Sequence, residues 1–168
     1  MNEPNRLWAP WRLEYIKEAT GTKPDCFLCE ALGADEDRER LLLYRGEKSF
    51  VIMNRYPYNN GHLLIAPNRH VATLDELELD EMTQLFDLVR KATGWLTKAY
   101  SPQGFNIGIN LGRVAGAGLP GHVHVHIVPR WDGDVNFMPV LGFTKVISEG
   151  LQSSWDQLRS VIEAEEKK

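Results

Sequence analysis

Residues 122–129 read His122-Val-His-Val-His-Ile-Val-Pro129, so three of the five histidines in the chain recur at every second position. Side chains of a β-strand alternate between its two faces, and same-face neighbours are roughly 6.6–7 Å apart. The stretch therefore predicts a strand over 122–128, with three imidazoles on one face and apolar side chains on the other. Three adjacent imidazoles repel one another when protonated and need hydrogen-bond partners when buried, so they do not help a fold. The row indicates chemistry, either metal ligation or attack on an electrophile.

A nucleophilic role fits this row better than a shared metal ion. Three consecutive same-face ligands on a flat strand are too far apart for three Zn–N bonds of about 2.0–2.1 Å. A neutral imidazole can instead attack phosphorus and form a phosphoramidate that a second nucleophile displaces. The central residue, His124, would attack, and its neighbours would bind the charged phosphoryl oxygens. A role as core histidines would explain one such residue but explains three poorly.

A glycine-rich stretch at residues 112–121 (GRVAGAGLPG) directly precedes the histidines. Glycine lets main-chain N–H groups approach a phosphate without a Cβ in the way. Taken alone, the stretch is also typical of a wide hairpin loop. Next to three histidines it favours a phosphate-binding loop, because convergent polar groups mark functional sites.

Composition excludes several classes of protein. The formal net charge of −4 over 168 residues argues against nucleic acid as an obligate partner, because duplex binding usually needs a basic face. The chain contains no run of 18 apolar residues and its N-terminus does not resemble a signal peptide, so we expect a cytoplasmic protein with no membrane span. The only cysteines, Cys26 and Cys29, allow three interpretations: half of a zinc site, a redox pair, or inert thiols.

Periodicity predicts the α+β class with an antiparallel sheet. Residues 1–40 are expected to be irregular, apart from a turn or short helix at 35–40. Apolar residues at three- and four-residue steps predict one long amphipathic helix over 79–100, and a C-terminal helix is expected over 153–165. Five strands are predicted, at residues 41–45, 49–53, 62–66, 105–111 and 122–128.

The segment at 122–128 resembles the signature of the histidine triad (HIT) superfamily of nucleotide hydrolases and transferases. Residues 54–67, 108–112 and 129–137, with 7–12 at the front, are similar to the same family. Residues 129–137, together with 7–12, resemble its bacterial diadenosine tetraphosphate phosphorylase branch, near the Fhit-type dinucleoside polyphosphate hydrolases. The resemblance implies a HIT-like fold, with an arm at 1–40 that carries the cysteines, a HIT domain at 41–150 and a C-terminal helix at 151–168.

The resemblance also implies a reaction and a set of site residues. The reaction is cleavage of a dinucleoside polyphosphate, expected to be diadenosine tetraphosphate, through a nucleotidyl-His124 intermediate in a homodimer. Phosphorolysis to ADP and ATP is favoured. The alternatives are hydrolysis, cleavage of nucleoside phosphoramidates, a nucleotide sensor with little turnover, and a metallohydrolase. The implied supporting residues are His122, His126 and His62 around the nucleophile, Ile52 at the base, Asn54 at the ribose, and Asn110, Gly116 and Gly118 at the phosphates.

The cysteines gain partners through the same resemblance. Family members with an N-terminal Cys-x-x-Cys often bind zinc through that pair, a later histidine and the first triad histidine. The corresponding positions here are Cys26, Cys29, His70 and His122, and two thiolates with two imidazoles form a closed, structural set. Many relatives carry Gln-Ser or Gln-Thr just before the triad, whereas residues 118–121 here read Gly-Leu-Pro-Gly. This departure leaves open which group protonates the leaving group, and whether phosphate or water is the acceptor.

Overall fold

The computed structural model describes residues 26–135 and 146–167. Expectations for residues 1–25, 136–145 and 168, among them the family-like segment 7–12, lie outside the described residues. In chain order the elements are α1 (Phe27–Gly33), α2 (Asp37–Arg40), β1 (Leu42–Arg45), β2 (Ser49–Met53), β3 (Leu63–Pro67), α3 (Leu79–Tyr100), β4 (Gly104–Ile109), a 3₁₀ turn (Arg113–Ala115), β5 (Val125–Arg130) and α4 (Leu151–Glu166).

The strands form one antiparallel sheet in the order β1-β2-β3-β5-β4. Helix α3 packs across β2, β3 and β5, while α4 packs on α3 and β1. The predicted α+β class, with five antiparallel strands, one long helix and a C-terminal helix, is confirmed.

The hydrophobic core fixes which face of the sheet carries the histidines. Leu85, Leu88 and Ala92 of α3 recur at three- and four-residue steps and are buried, as an amphipathic helix on a sheet requires. In β5, Val125 and Ile127 belong to the same buried cluster. Because side chains alternate along a strand, the residues between and beyond them face the other side of the sheet. The catalytic candidates therefore lie on that other face.

The two edge strands of the sheet, β1 and β4, differ in what contacts them. At the β1 edge, the indole Nε1–H of Trp155 in α4 donates to the Leu42 carbonyl oxygen at 2.9 Å, and Arg159 donates to that of Leu43 at 3.0 Å. These bonds satisfy outward carbonyl groups that an edge strand otherwise exposes. At the opposite edge, β4 carries the half-exposed side chain of Ile107.

The expectation that residues 1–40 are irregular is wrong over α1. Seven residues are too few for a periodic pattern to stand out, and Leu28 and Ala31, three apart, are the only ones of the helix that are buried. The helix is fixed by tertiary contacts instead: the guanidinium of Arg45 in β1 donates to the carbonyl oxygens of Leu32 and Ala34 at its C-terminal end. The short helix expected within 35–40 is present as α2.

The last strand was also predicted too early, because β5 begins at Val125 and not at His122. The N–H of Val123 donates to the carbonyl oxygen of Val71 in a loop, at 2.7 Å, and the ladder with β3 starts only at Val125. The predicted strand at 62–66 is shifted by one residue, and that at 105–111 ends earlier, at Ile109. The proposed domain limits at 41 and 150 stay a prediction. None of the helices in the described ranges is both long and apolar enough to cross a membrane.

Candidate active site

Three histidines meet on the side of the sheet opposite to α3. His126 lies in β5 and is paired across the sheet with Leu64 of β3, so His62, just before β3, is brought beside it. The ring centroid of His126 is 4.9 Å from that of His124 and 5.2 Å from that of His62. The structure thus brings together His62, His124 and His126, as the sequence predicted.

His124 is held in one tautomer. Its Nδ1 lies 2.8 Å from the carbonyl oxygen of His122, which can only accept, so Nδ1 carries the proton. Its Nε2 therefore carries the lone pair. Burial lowers the pKa of His124, although the bond to the His122 carbonyl opposes this effect. The ring is 5 % exposed. It is a neutral imidazole with a free lone pair, which is the form that attacks phosphorus.

A chain of hydrogen bonds fixes the tautomers of the other two rings. The backbone N–H of Tyr58 donates to Nδ1 of His62 at 3.1 Å, so the proton of the neutral His62 ring is on Nε2. This Nε2 lies 3.0 Å from Nδ1 of His126 and donates to it. His126 consequently carries its own proton on Nε2. That buried Nε2–H has no hydrogen-bond partner among the described residues.

Both of these histidines stay neutral near pH 7. Burial, together with the nearby His126 and His124, lowers the pKa of His62 to about 3. Burial and the nearby His124 lower the pKa of His126 to about 4. The mutual repulsion that made three adjacent imidazoles unfavourable is avoided because none of them is protonated. A neutral N–H donor beside a neutral nucleophile is the result.

His122 faces away from this group. Its Nε2–H donates to the carbonyl oxygen of Pro67 at 2.9 Å, and its Nδ1 lies 3.2 Å from Sγ of Cys26 and 3.5 Å from Sγ of Cys29. Neither ring nitrogen is left for a phosphoryl oxygen, so that part of the expectation for His122 is wrong. Its contribution to the nucleophile comes through the backbone carbonyl that orients His124.

The four expected metal ligands converge. One ligand atom each from Cys26, Cys29, His70 and His122 lie within 4.8 Å of one another. The contact from Cys29 Sγ to His70 Nδ1 is 3.3 Å. Sulfur and nitrogen ligands of a tetrahedral zinc ion are about 3.6 Å apart, given Zn–S near 2.3 Å and Zn–N near 2.0–2.1 Å. The donor set fits a zinc ion. Without one, burial raises the pKa of the Cys26 thiol to about 11.

Of the two residues expected to contact the nucleoside, one lies beside the histidines and the other is buried in the core. Asn54 lies beside His62, with Nδ2 3.3 Å from Nδ1 of that ring, while its Oδ1 accepts the N–H of Tyr56. Ile52 is 3 % exposed within the core, which leaves its side chain little surface for a base. The assigned roles of both residues stay predictions.

The glycine-rich loop approaches Asn110. Gly116 has a φ of +92°, a left-handed conformation that favours glycine, and a Cβ there would lie 3.9 Å from Nδ2 of Asn110. Gly118 is exposed in the same loop. The loop turns back on itself after the 3₁₀ turn, where the N–H of Ala117 donates to the carbonyl oxygen of Gly112.

Two supporting features were missed in the sequence. Tyr58 packs on the histidines, with its ring centroid 4.7 Å from that of His62 and its plane within 12° of that of His126. Beside His70, the guanidinium of Arg69 forms a two-bond ion pair with the carboxylate of Glu81, at 3.0 and 2.7 Å. The available signal for Tyr58 was an aromatic residue in the loop directly before His62. The sequence carries no signal for the ion pair, because it depends on where α3 packs.

Comparison with known proteins agrees with this geometry. The family model described as HIT domain matches residues 36–133. The chain belongs to the HIT family. It is 39 % identical over 155 residues to a protein named AP-4-A phosphorylase from Mycobacterium tuberculosis, a match that covers 89 % of this chain and 80 % of the relative.

Two further HIT relatives differ in what they cover. A protein named asymmetrical bis(5′-nucleosyl)-tetraphosphatase from Schizosaccharomyces pombe is 42 % identical over 93 residues, which is 55 % of this chain and 50 % of that protein. The crystal structure of a hypothetical histidine triad nucleotide-binding protein from Sulfolobus tokodaii superposes with a TM-score of 0.66 at 27 % identity, covering 83 % of this chain and 93 % of that one.

Proposed function

We propose that this HIT protein cleaves dinucleoside polyphosphates, with diadenosine tetraphosphate as the substrate, by transferring a nucleotide to His124 and then to inorganic phosphate. The observation that carries the proposal is the tautomer of His124: its Nδ1–H is bound to the His122 carbonyl, so Nε2 presents a lone pair. The relative from Mycobacterium tuberculosis, which is named for phosphorolysis, supports phosphate as the acceptor.

In the first step, Nε2 of His124 attacks the α-phosphorus and forms a P–N bond. The bond from this phosphorus to the bridging oxygen breaks, and ATP leaves with the electron pair. The unpartnered Nε2–H of His126 donates a hydrogen bond to the leaving oxygen as negative charge develops on it. This assigns to His126 the role that the missing Gln-Ser or Gln-Thr leaves open.

In the second step, an oxygen of inorganic phosphate attacks the phosphorus of AMP-His124. The P–N bond breaks, its electrons return to Nε2, and ADP is released. Asn110 and the main chain of the loop around Gly116 and Gly118 hold the phosphates, and Asn54 holds the ribose. Water in place of phosphate would yield AMP; the relative from Schizosaccharomyces pombe, named as a tetraphosphatase, makes hydrolysis the second candidate.

We further propose that Cys26, Cys29, His70 and His122 hold a structural zinc ion. Support comes from the convergence of four donor atoms within 4.8 Å, with the lone pair of His122 Nδ1 directed at both sulfurs. Zinc would stabilise the two thiolates and tie α1 to the loop after β3. His122 would then be fixed at both ring nitrogens, and with it the carbonyl that orients His124.

A homodimer is part of the same proposal. Its support is the outer edge of β4, along which no other strand of the described ranges pairs, and where Ile107 is 48 % exposed. Phe86 of α3 is also 48 % exposed. A second copy that pairs along this edge would satisfy the outward backbone groups of β4. Sedimentation of the wild type and of Ile107→Glu tests this, since the variant should sediment as a monomer. A monomeric wild type would refute the dimer.

Intact-mass measurement after rapid mixing with diadenosine tetraphosphate tests the reaction. The wild type should gain the mass of one adenylyl group, whereas His124→Ala should gain none and retain its zinc. Phosphate should discharge the adduct as ADP faster than water discharges it as AMP. Turnover without an adduct, or an adduct that persists in His124→Ala, would refute covalent catalysis by His124. Faster discharge by water would replace phosphorolysis with hydrolysis.

A further inference from the structure

A cavity continues the histidine row along β5. It measures about 290 Å³ and is lined by Tyr58, Asn59, Asn106, Val128, Arg130 and Val135. Val128 is two residues beyond His126, so it faces the same side of the sheet one step of roughly 6.6–7 Å further on. Asn106 is paired directly with Val128 across β4 and β5 and shares that face. The cavity is therefore contiguous with the face that carries His124.

The cavity walls are suited to a flat, uncharged ring. The Tyr58 side chain is 58 % exposed although its ring packs on the His62 and His126 imidazoles, so it keeps open surface for stacking. The volume of the cavity is at the lower limit of small-molecule pockets, which are ~300–1,000 Å³, so the cavity suits one part of a larger ligand. Stacking on aromatic side chains is how proteins commonly hold an unpaired base.

The polar groups of the cavity are fixed and their charge is neutralised. Arg130 donates through Nε and Nη2 to the carboxylate of Asp134, at 2.6 and 3.0 Å, and through Nη1 to Oδ1 of Asn106 at 2.8 Å. Asn59 donates to the same carboxylate and to the carbonyl oxygen of Pro129. A paired guanidinium is a poor phosphate site but an adequate planar surface. Because Oδ1 of Asn106 already accepts a hydrogen bond from Arg130, the NH2 group of Asn106 is the one that can donate to a ligand. The ring nitrogens of a nucleobase are suitable acceptors for it.

We infer that this cavity binds the nucleobase of the leaving nucleotide. The inference rests on the proposed function, because it presumes a substrate with a nucleoside at each end of the phosphate chain. At one end, the row of histidines stops at His122, which contacts the cysteines. The phosphate chain of the substrate therefore runs in the opposite direction from His124, past Nε2–H of His126, towards Tyr58 and Asn106. The second base then stacks on Tyr58 and accepts a hydrogen bond from Asn106.

Two substrates separate this subsite from the catalytic centre. Diadenosine tetraphosphate has the second adenosine, whereas adenosine 5′-tetraphosphate has the same phosphate chain without it. The readout is the ratio of kcat/KM for the first substrate to that for the second. Tyr58→Ala and Asn106→Ala should each lower the ratio by about tenfold or more, through KM for the dinucleotide. Tyr58→Phe, which keeps the ring, should preserve the ratio.

Tyr56→Ala is the matched control, because Tyr56 is an exposed tyrosine of the same loop that does not line the cavity. Its ratio should equal that of the wild type. An unchanged ratio in both Tyr58→Ala and Asn106→Ala would overturn the subsite, as would an equal loss in Tyr56→Ala. If the wild type turns over neither substrate, the proposed function fails. Calorimetric binding of the two nucleotides then decides the subsite, which requires the same selective loss in Tyr58→Ala.

Discussion

Replacing His62 by leucine should slow the reaction through His126. The Nε2–H of His62 is the donor that holds Nδ1 of His126 as an acceptor, at 3.0 Å, and thereby places the His126 proton on Nε2. Leucine removes the donor and leaves the buried Nδ1 unsatisfied, at a cost of about 1–3 kcal/mol. Without that donor the His126 proton is no longer confined to Nε2, and the other tautomer presents a lone pair to an anionic substrate. We expect kcat/KM for diadenosine tetraphosphate to fall by roughly 5- to 150-fold.

A double-mutant cycle shows whether the loss passes through His126. The variants are His62→Leu, His126→Ala and the double variant, with kcat/KM measured for each. In the His126→Ala background, His62→Leu should lower kcat/KM little further, because the His126 proton that His62 positions is already absent. Additive losses would refute the reasoning. His62→Gln is the conservative control, since its amide can donate to His126 and accept from the N–H of Tyr58. It should recover part of the loss, and thermal unfolding of each variant reports on folding.

Three further predictions concern stability and metal binding. Below pH 6.5 the unfolded chain protonates His62 before the folded protein does, because the folded pKa is about 3. The free energy of unfolding of the wild type, measured in urea, should therefore fall by about 1.6 kcal/mol more than that of His62→Leu between pH 6.5 and pH 5. Cys29→Ser should abolish stoichiometric zinc binding and lower the melting temperature, as measured by elemental analysis and calorimetry, whereas retained zinc would argue against this ligand set. Gly116→Ala should cost about 1–2 kcal/mol of unfolding free energy, because its φ of +92° is unfavourable for alanine, and a neutral result would mean that the loop relaxes.

The sequence predicted most of the fold because its signals are local and periodic. The helix predicted over 79–100 is α3, and the strand at 49–53 matches β2 at both ends. The alternation of residues 122–128 also placed His124 and His126 on one face. These features depend on spacing within one segment, so they can be read without knowing what packs against it.

The features that the sequence did not predict depend on contacts between distant segments. His122 turns out of the strand because it meets the carbonyl oxygen of Pro67 and the sulfur of Cys26, which is 96 residues away. The helix α1 is held at its end by Arg45 of β1. Tyr58 reaches the imidazoles only when the loop folds back over β3 and β5. No periodicity encodes such contacts, and the metal quartet was accessible only through family resemblance.

The division of labour among the three triad histidines follows from three backbone groups. The carbonyl oxygen of Pro67 accepts a hydrogen bond from Nε2–H of His122, so the Nδ1 lone pair of this ring faces the two cysteine sulfurs. The carbonyl oxygen of His122 accepts a hydrogen bond from Nδ1–H of His124, so the lone pair of this ring is on Nε2. The N–H of Tyr58, acting through His62, leaves His126 with its proton on Nε2, where no described residue accepts it. In the function that we propose, three identical side chains at alternate positions thus serve as a metal ligand, a nucleophile and a hydrogen-bond donor, because each ring nitrogen that is not needed for that role is bound elsewhere.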